Sequence, residues 1–118
     1  MGLFDWLFGK KVTQISVQEA HNLLKGKNPP LIVDVRQPAE TEAGVVRGAV
    51  LIPLTEFGKR MEELPRERPI LTICRSSHRS PVAARKLVKA GYEVRDVKGG
   101  MIAWEQAKLP VRKPKRKK

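Results

Sequence analysis

The sequence predicts an α/β domain with a small, mainly parallel sheet of five strands and helices on both faces. Short apolar, β-branched runs alternate with stretches in which apolar residues recur at helical spacing. This alternation is typical of a mainly parallel sheet. The run at residues 31–35 (Leu-Ile-Val-Asp-Val) has the character of a strand that is covered on both faces.

Five short runs rich in Val, Ile and Leu predict the strands. They lie at residues 12–15, 31–35, 49–52, 70–73 and 94–97. Turn residues separate them: an Asn-Pro-Pro turn at 28–30, a charged turn between two prolines at 65–69, and Gly99-Gly100 after the last run. Each predicted strand is therefore short and ends at or near a turn.

Helices are predicted in the connections between these strands. They lie at residues 17–25, 38–43, 55–64, 80–90 and 101–107. Ser16 and Glu19 form the Ser-x-x-Glu pattern of a capping box, and Thr55 is the expected cap of the third helix. Ser80 is the expected N-cap of the fourth helix, with Pro81 at its first position.

The length of 118 residues suits one small domain, predicted at residues 12–110. The net charge of +12 is unevenly spread, because residues 112–118 hold six basic and no acidic side chains. The predicted tail at 111–118 is expected to be solvated and disordered. A contact with nucleic acid or an anionic surface is the alternative.

Residues 1–11 form an apolar N-terminal extension, Met-Gly-Leu-Phe-Asp-Trp-Leu-Phe-Gly-Lys-Lys. No basic residues precede its apolar part, which is too short for a secretory signal, and no run in the chain is long enough for a transmembrane segment. The extension either folds onto the domain or frays, or it anchors the protein to a partner or to a membrane surface.

The single cysteine, Cys74, excludes a scaffold held by internal disulfides and suits a reducing, cytoplasmic compartment. Two histidines and one cysteine make no metal-ligand cluster, so no metal site is expected. No cofactor is indicated either.

Cys74 ends the fourth predicted strand, and a polar loop leads from it to the fourth helix. The loop consists of Arg75, Ser76, Ser77, His78, Arg79 and Ser80. If this loop curls around the sulfur, its N–H groups, the helix N-terminus and the two guanidinium groups all favour the thiolate. Cys74 is therefore the expected nucleophile, and the loop would bind a phosphate or the outer sulfur of a persulfide.

The length of the loop bears on which anion it holds. Cysteine-dependent phosphatases need Cys-x5-Arg, whereas Ser80 occupies that position here and Arg79 comes one residue early. Ile73 precedes the cysteine where those enzymes commonly have histidine. The short loop favours binding of a single sulfur atom over binding of a phosphate. A cysteine-dependent phosphatase or an arsenate-reductase-like enzyme is the alternative.

Four motifs occur in order along the chain. They are Asp-Val-Arg-Gln-Pro-Ala-Glu at 34–40, Gly-Val-Val-Arg-Gly-Ala at 44–49, Cys-Arg-Ser-Ser-His-Arg-Ser at 74–80, and Val-Lys-Gly-Gly-Met-Ile-Ala-Trp at 97–104. In these motifs the chain resembles the single-domain rhodaneses, a family of sulfurtransferases, over about residues 13–110. Ser77 stands where the family frequently has glycine, and Val45 replaces its usual histidine.

The resemblance implies a rhodanese-like fold and ping-pong transfer of sulfur through a persulfide on Cys74. It implies a small anionic donor such as thiosulfate, and an acceptor such as cyanide or a thiol of a protein or small molecule. Arg75 and Arg79 would attract the donor. The remaining alternative is a rhodanese-like binding or sulfur-carrier module. Non-catalytic binding modules usually lack the cysteine, whereas this chain keeps it.

Three charged residues near the second strand are expected to support the structure. Asp34 would accept hydrogen bonds from loop backbone, and Arg36 would pair with Glu40 or another acid. We expect His78 to be a surface residue of the loop and not a catalytic base. Trp104 is expected to belong to the core.

Overall fold

A computed structural model describes residues 12–114, so the N-terminal extension (1–11) and the end of the basic tail (115–118) lie outside it. The strands are β1 (Thr13–Ile15), β2 (Leu31–Asp34), β3 (Val50–Leu51), β4 (Ile70–Ile73) and β5 (Val94–Val97). The helices are α1 (Val17–Leu24), α2 (Pro38–Thr41), α3 (Leu54–Arg60), α4 (Ser80–Lys89) and α5 (Gly100–Gln106). A 3₁₀ helix, Met61–Glu63, follows α3.

The five strands form one sheet in the order β1-β5-β4-β2-β3. Every pairing between these five strands is parallel, which confirms the predicted five-stranded, mainly parallel sheet. β4 lies in the middle, with Ile73 beside Asp34 of β2 and Thr72 beside Asp96 of β5. The residue that follows β4 is therefore at the centre of the carboxyl edge of the sheet.

Helices cover both faces of this sheet, as predicted. On one face, Phe57 of α3 and Leu87 of α4 pack with strand residues into one buried cluster. On the other face, Ala20 of α1 and Trp104 of α5 belong to a second cluster. All four residues of β4 are buried, because the strand is covered on both faces and paired along both edges.

The predicted helix caps are confirmed in one case and wrong in two. Ser16 and Glu19 form a complete capping box at α1. At α3, Pro53 occupies the N-cap and Thr55 lies inside the helix; the regular helix ends at Arg60 before the 3₁₀ turn. At α4, Arg79 is the N-cap and Ser80 is the first helical residue, with its hydroxyl buried near the thiol of Cys74 and not used as a cap.

The chain beyond α5 folds back on the domain as far as it is described. Arg112 and Val45 exchange two backbone hydrogen bonds of 2.8 Å as an antiparallel bridge. The indole N–H of Trp104 donates to the carbonyl oxygen of Pro110 at 2.9 Å. The first residues of the predicted tail are thus paired with the domain. Between residues 12 and 114 no helix is long and apolar enough to cross a membrane.

Candidate active site

Cys74 leaves β4 at the centre of the carboxyl edge, and its side chain is buried. The six residues after it form the loop that ends at the first turn of α4, from here called the Cys74 loop (residues 74–80). Ligands of open parallel sheets bind at this edge. The structure therefore places the thiol where the sequence predicted a site.

The Cys74 loop directs hydrogen-bond donors at the sulfur. Burial raises the pKa of Cys74, because it disfavours the charged form. The Ser80 hydroxyl and the backbone N–H groups of Ser80, Arg79 and Ser76 face the sulfur, and their effect outweighs burial, so the pKa lies below that of an ordinary cysteine. The Ser80 hydroxyl is buried and makes no hydrogen bond within the described residues. It is therefore free to donate to a charged sulfur.

The start of α5 holds the first carbonyl groups of the loop. The N–H of Met101 donates to the carbonyl oxygen of Cys74 at 2.8 Å, and that of Ile102 donates to the carbonyl oxygen of Arg75 at 3.0 Å. These two hydrogen bonds fix the start of the Cys74 loop against α5. The position of the N–H groups around the sulfur therefore depends on the segment after β5 as well as on the sequence of the loop.

Gly100 makes this approach possible. A Cβ on Gly100 would collide with the carbonyl oxygen of Cys74 and would lie 2.6 Å from that of Arg75. Gly99 and Gly100 both have positive φ, at 81° and 57°. The Gly-Gly pair was predicted only as a turn, but it also begins α5 and lets the helix contact the loop.

Ser77 adopts a backbone conformation that favours glycine, with φ of 67°. Its hydroxyl compensates by bridging to the next strand and turn. It donates to the carbonyl oxygen of Val97 at 3.1 Å and accepts from the N–H of Gly99 at 2.6 Å. The serine in place of glycine therefore ties the middle of the loop to the end of β5.

Arg79 forms a two-point ion pair with Glu40, which the sequence did not predict. Its two terminal nitrogens lie 2.5 and 2.7 Å from the two carboxylate oxygens. Hydrogen bonding from Arg79 lowers the pKa of Glu40 to about 2, against the opposing effect of burial. The positive charge of Arg79 is thus compensated by Glu40, which lies in α2 after β2.

Asp34 and Arg36 form a second ion pair, which is buried. Nη2 of Arg36 lies 2.7 Å from Oδ2 of Asp34, and the other terminal nitrogen donates to the backbone carbonyl of Glu40. Asp34 also accepts from the backbone N–H of Arg36 at 3.1 Å, as expected of a residue that supports a loop. Arg36 pairs with an acid as expected, but not with the Glu40 carboxylate, because Arg79 occupies that carboxylate. The other acid, Asp34, is its partner.

The remaining side chains of the loop lie toward solvent. Arg75 and His78 are exposed, and Oγ of Ser76 is 2.9 Å from Nδ1 of His78. Across the described part of the chain, the guanidinium of Arg75 makes no ion pair. Arg75 is therefore the uncompensated cation at the mouth of the loop. No group of three or more possible metal ligands occurs within residues 12–114.

The fold and the loop define a class of protein: a parallel α/β domain that holds a buried cysteine in a cradle of N–H groups. A profile of the rhodanese-like domain family matches residues 16–107. The chain belongs to this family, which confirms the resemblance in the four motifs.

Two curated relatives and one solved structure match the chain along nearly their whole length. A sulfurtransferase of Allochromatium vinosum is 35% identical over 104 residues, covering 87% of this chain and 97% of the relative. A putative sulfurtransferase of Bacillus subtilis, YtwF, is 29% identical and covers 85% and 97%. The crystal structure of a rhodanese-related protein from Thermoplasma volcanium superposes with a TM-score of 0.80 at 27% identity, covering 85% and 97%.

Proposed function

We propose that this protein is a sulfurtransferase that carries sulfane sulfur as a persulfide on Cys74. One observation carries the proposal: a buried thiol has a lowered pKa because three N–H groups and an otherwise unpartnered hydroxyl are directed at it. The names of two relatives that match over nearly their whole length support it.

The first half-reaction loads the cysteine. The thiolate of Cys74 attacks the outer sulfur of an anionic donor such as thiosulfate, a new S–S bond forms, and the donor S–S bond breaks. Sulfite leaves with the electron pair of the broken bond, so no external oxidant or reductant is needed. The loop N–H groups and the Ser80 hydroxyl stabilise the charge of the persulfide.

The second half-reaction returns the free thiolate. A nucleophilic acceptor, either cyanide or the thiolate of a protein or small molecule, attacks the outer sulfur of the persulfide. The Cys74–sulfur bond breaks and its electron pair returns to Cys74. We place this exchange in a reducing, cytoplasmic setting, because the unpaired thiol must stay reduced between cycles.

A phosphatase or arsenate-reductase-like activity has less support. Such enzymes use an arginine of the loop to grip the oxyanion from two sides. Arg79 is the arginine nearest to that position, and both of its terminal nitrogens are bound to Glu40. Nothing in the arrangement favours this second function over sulfur transfer.

The test is sulfur loading measured by intact mass. After incubation with thiosulfate, the protein should gain one sulfur atom and then produce thiocyanate on addition of cyanide. Cys74→Ala should do neither, whereas Ser76→Ala, a change in the exposed part of the same loop, should do both. Loading of Cys74→Ala, or no loading of the wild type by thiosulfate or by an organic persulfide, would refute the proposal.

A second measurement tests how the anionic donor is attracted. We expect Arg75→Ala to raise the KM for thiosulfate by roughly threefold to tenfold, because it removes the uncompensated charge at the loop mouth. Arg85→Ala, an exposed arginine on α4, is the matched control and should leave KM unchanged. Equal KM values for the two variants would contradict a role for Arg75 in donor attraction.

A further inference from the structure

A cavity within residues 12–114 lies away from the Cys74 loop. It has a volume of about 950 Å³ and opens between α1, α5, the segment before β3 and the chain after α5. None of its lining residues belongs to the Cys74 loop. Its volume is at the upper end of the range, roughly 300–1,000 Å³, that is usual for small-molecule sites.

The walls of this cavity are held in place by hydrogen bonds. Arg112 is paired with Val45 through two backbone hydrogen bonds of 2.8 Å, so the chain after α5 forms one wall. The carbonyl of Pro110 is held by the indole N–H of Trp104. The ring of His21 meets that of Trp104 edge-on, with 5.7 Å between the centroids. The cavity is therefore a part of the folded domain.

The lining combines an apolar floor with a cationic rim. Leu24 and Val111 contribute exposed apolar surface, and the almost fully buried Trp104 also lines the cavity. Lys25, Arg47 and Arg112 contribute three cations, and the lining contains no aspartate or glutamate. None of these three side chains forms an ion pair with a residue of the described chain. The rim thus carries positive charge that nothing in the cavity compensates.

We propose that this cavity binds a small amphipathic anion: an apolar body with one carboxylate, sulfonate or phosphate head group. The apolar body would cover Leu24 and Val111, which gains the free energy of removing apolar surface from water. The head group would lie among the three cations at the rim. An uncharged ligand of the same shape would leave those cations without a counter-charge, and therefore binds more weakly.

The test uses anilinonaphthalene sulfonate as the probe, with the uncharged N-phenylnaphthylamine for comparison. Fluorescence titration of the full-length protein should show one saturable site for the sulfonate, and binding of the uncharged compound should be at least tenfold weaker. The double variant Arg47→Gln/Arg112→Gln should bind the sulfonate about tenfold more weakly, since each exposed charge contributes a factor of a few. The backbone pairing of position 112 with Val45 does not depend on the side chain.

Two controls separate the cavity from general attraction to a basic protein. Lys86→Gln/Lys89→Gln removes the same charge from exposed positions on α4 and should leave binding unchanged. In two-dimensional NMR, the probe should shift the indole N–H of Trp104 and the amides around Arg47 and Arg112. Equal weakening by both double variants, or shifts confined to residues 1–11 or to the Cys74 loop, would overturn the proposal.

Discussion

We expect the hydroxyl of Ser77 to contribute substantially to the stability of the Cys74 loop. Ser77→Ala removes the donor to the Val97 carbonyl and the acceptor of the Gly99 N–H, and it leaves a Cβ at φ of 67°. Both backbone groups then lose their partner in a partly buried place. We therefore expect the loop to loosen on the side that faces β5.

The size of the effect follows from these contacts. Each unpaired backbone group costs about 1 kcal/mol at partial burial, so Ser77→Ala should lower the free energy of unfolding by about 2 kcal/mol. Ser77→Gly loses the same bonds but removes about 1 kcal/mol of left-handed strain, part of which the greater freedom of the unfolded chain offsets. Ser77→Gly should thus be more stable than Ser77→Ala by roughly 0.5 kcal/mol and less stable than the wild type.

Urea unfolding measures these differences, and the pH dependence of alkylation of Cys74 by iodoacetamide measures its pKa. Ser77→Ala should raise that pKa toward the ordinary value, because the N–H groups of the loop are then held less firmly around the sulfur. Ser76→Ala is the matched control, since its hydroxyl contacts only the exposed His78. The reasoning fails if Ser77→Ala matches Ser76→Ala in both measurements, or if Ser77→Gly equals the wild type in stability.

Two further predictions concern the neighbours of the loop. Gly100→Ala should cost roughly 3 kcal/mol or more and prevent sulfur loading, because its Cβ would collide with the carbonyl of Cys74. Gly58→Ala has open space, so it should be neutral or slightly stabilising in the same unfolding assay, and equal stability of the two variants would contradict this account. The second prediction is a pH dependence. The pKa of Glu40 is lowered from 4.5 to about 2, so its pair with Arg79 stabilises the fold above about pH 4.5 and is lost as the pH falls toward 2. Allowing for solvent screening, this component is about 1 kcal/mol. Glu40→Gln should lack it, and an unchanged acid limb of the stability curve in that variant would show that the pair is not its source.

The sequence predicted most of the fold because the relevant signals are local. The alternation of apolar strands with helical spacing gave the five strands and the helices on both faces, and the Ser16–Glu19 capping box is present at α1. The predicted caps at Thr55 and Ser80 failed for a physical reason. A cap preference of about 1 kcal/mol is small enough for the tertiary environment to override, as at α4, where the Ser80 hydroxyl is buried beside Cys74.

In the candidate site, too, the local features were predicted from the sequence and the tertiary contacts were not. The sequence placed Cys74 at a strand end and before a helix, but it did not show which acid neutralises which arginine. Arg79 pairs with Glu40 across 39 residues of sequence, and Arg36 therefore turns to Asp34. Two acids and two arginines allow more than one pairing, and only their positions in space select one.

The sequence by itself determined the Cys74 loop: a single thiol, six residues and a helix start, with a length better suited to a sulfur atom than to a phosphate. The tertiary structure decided how that loop is held. The carbonyls of the loop bind the start of α5, Gly100 permits the approach, and Ser77 replaces the freedom of glycine with two hydrogen bonds to a segment 20 and 22 residues away. Contacts of this kind form only after the strands are assembled, because β4 and β5 must be neighbours before their loops can meet.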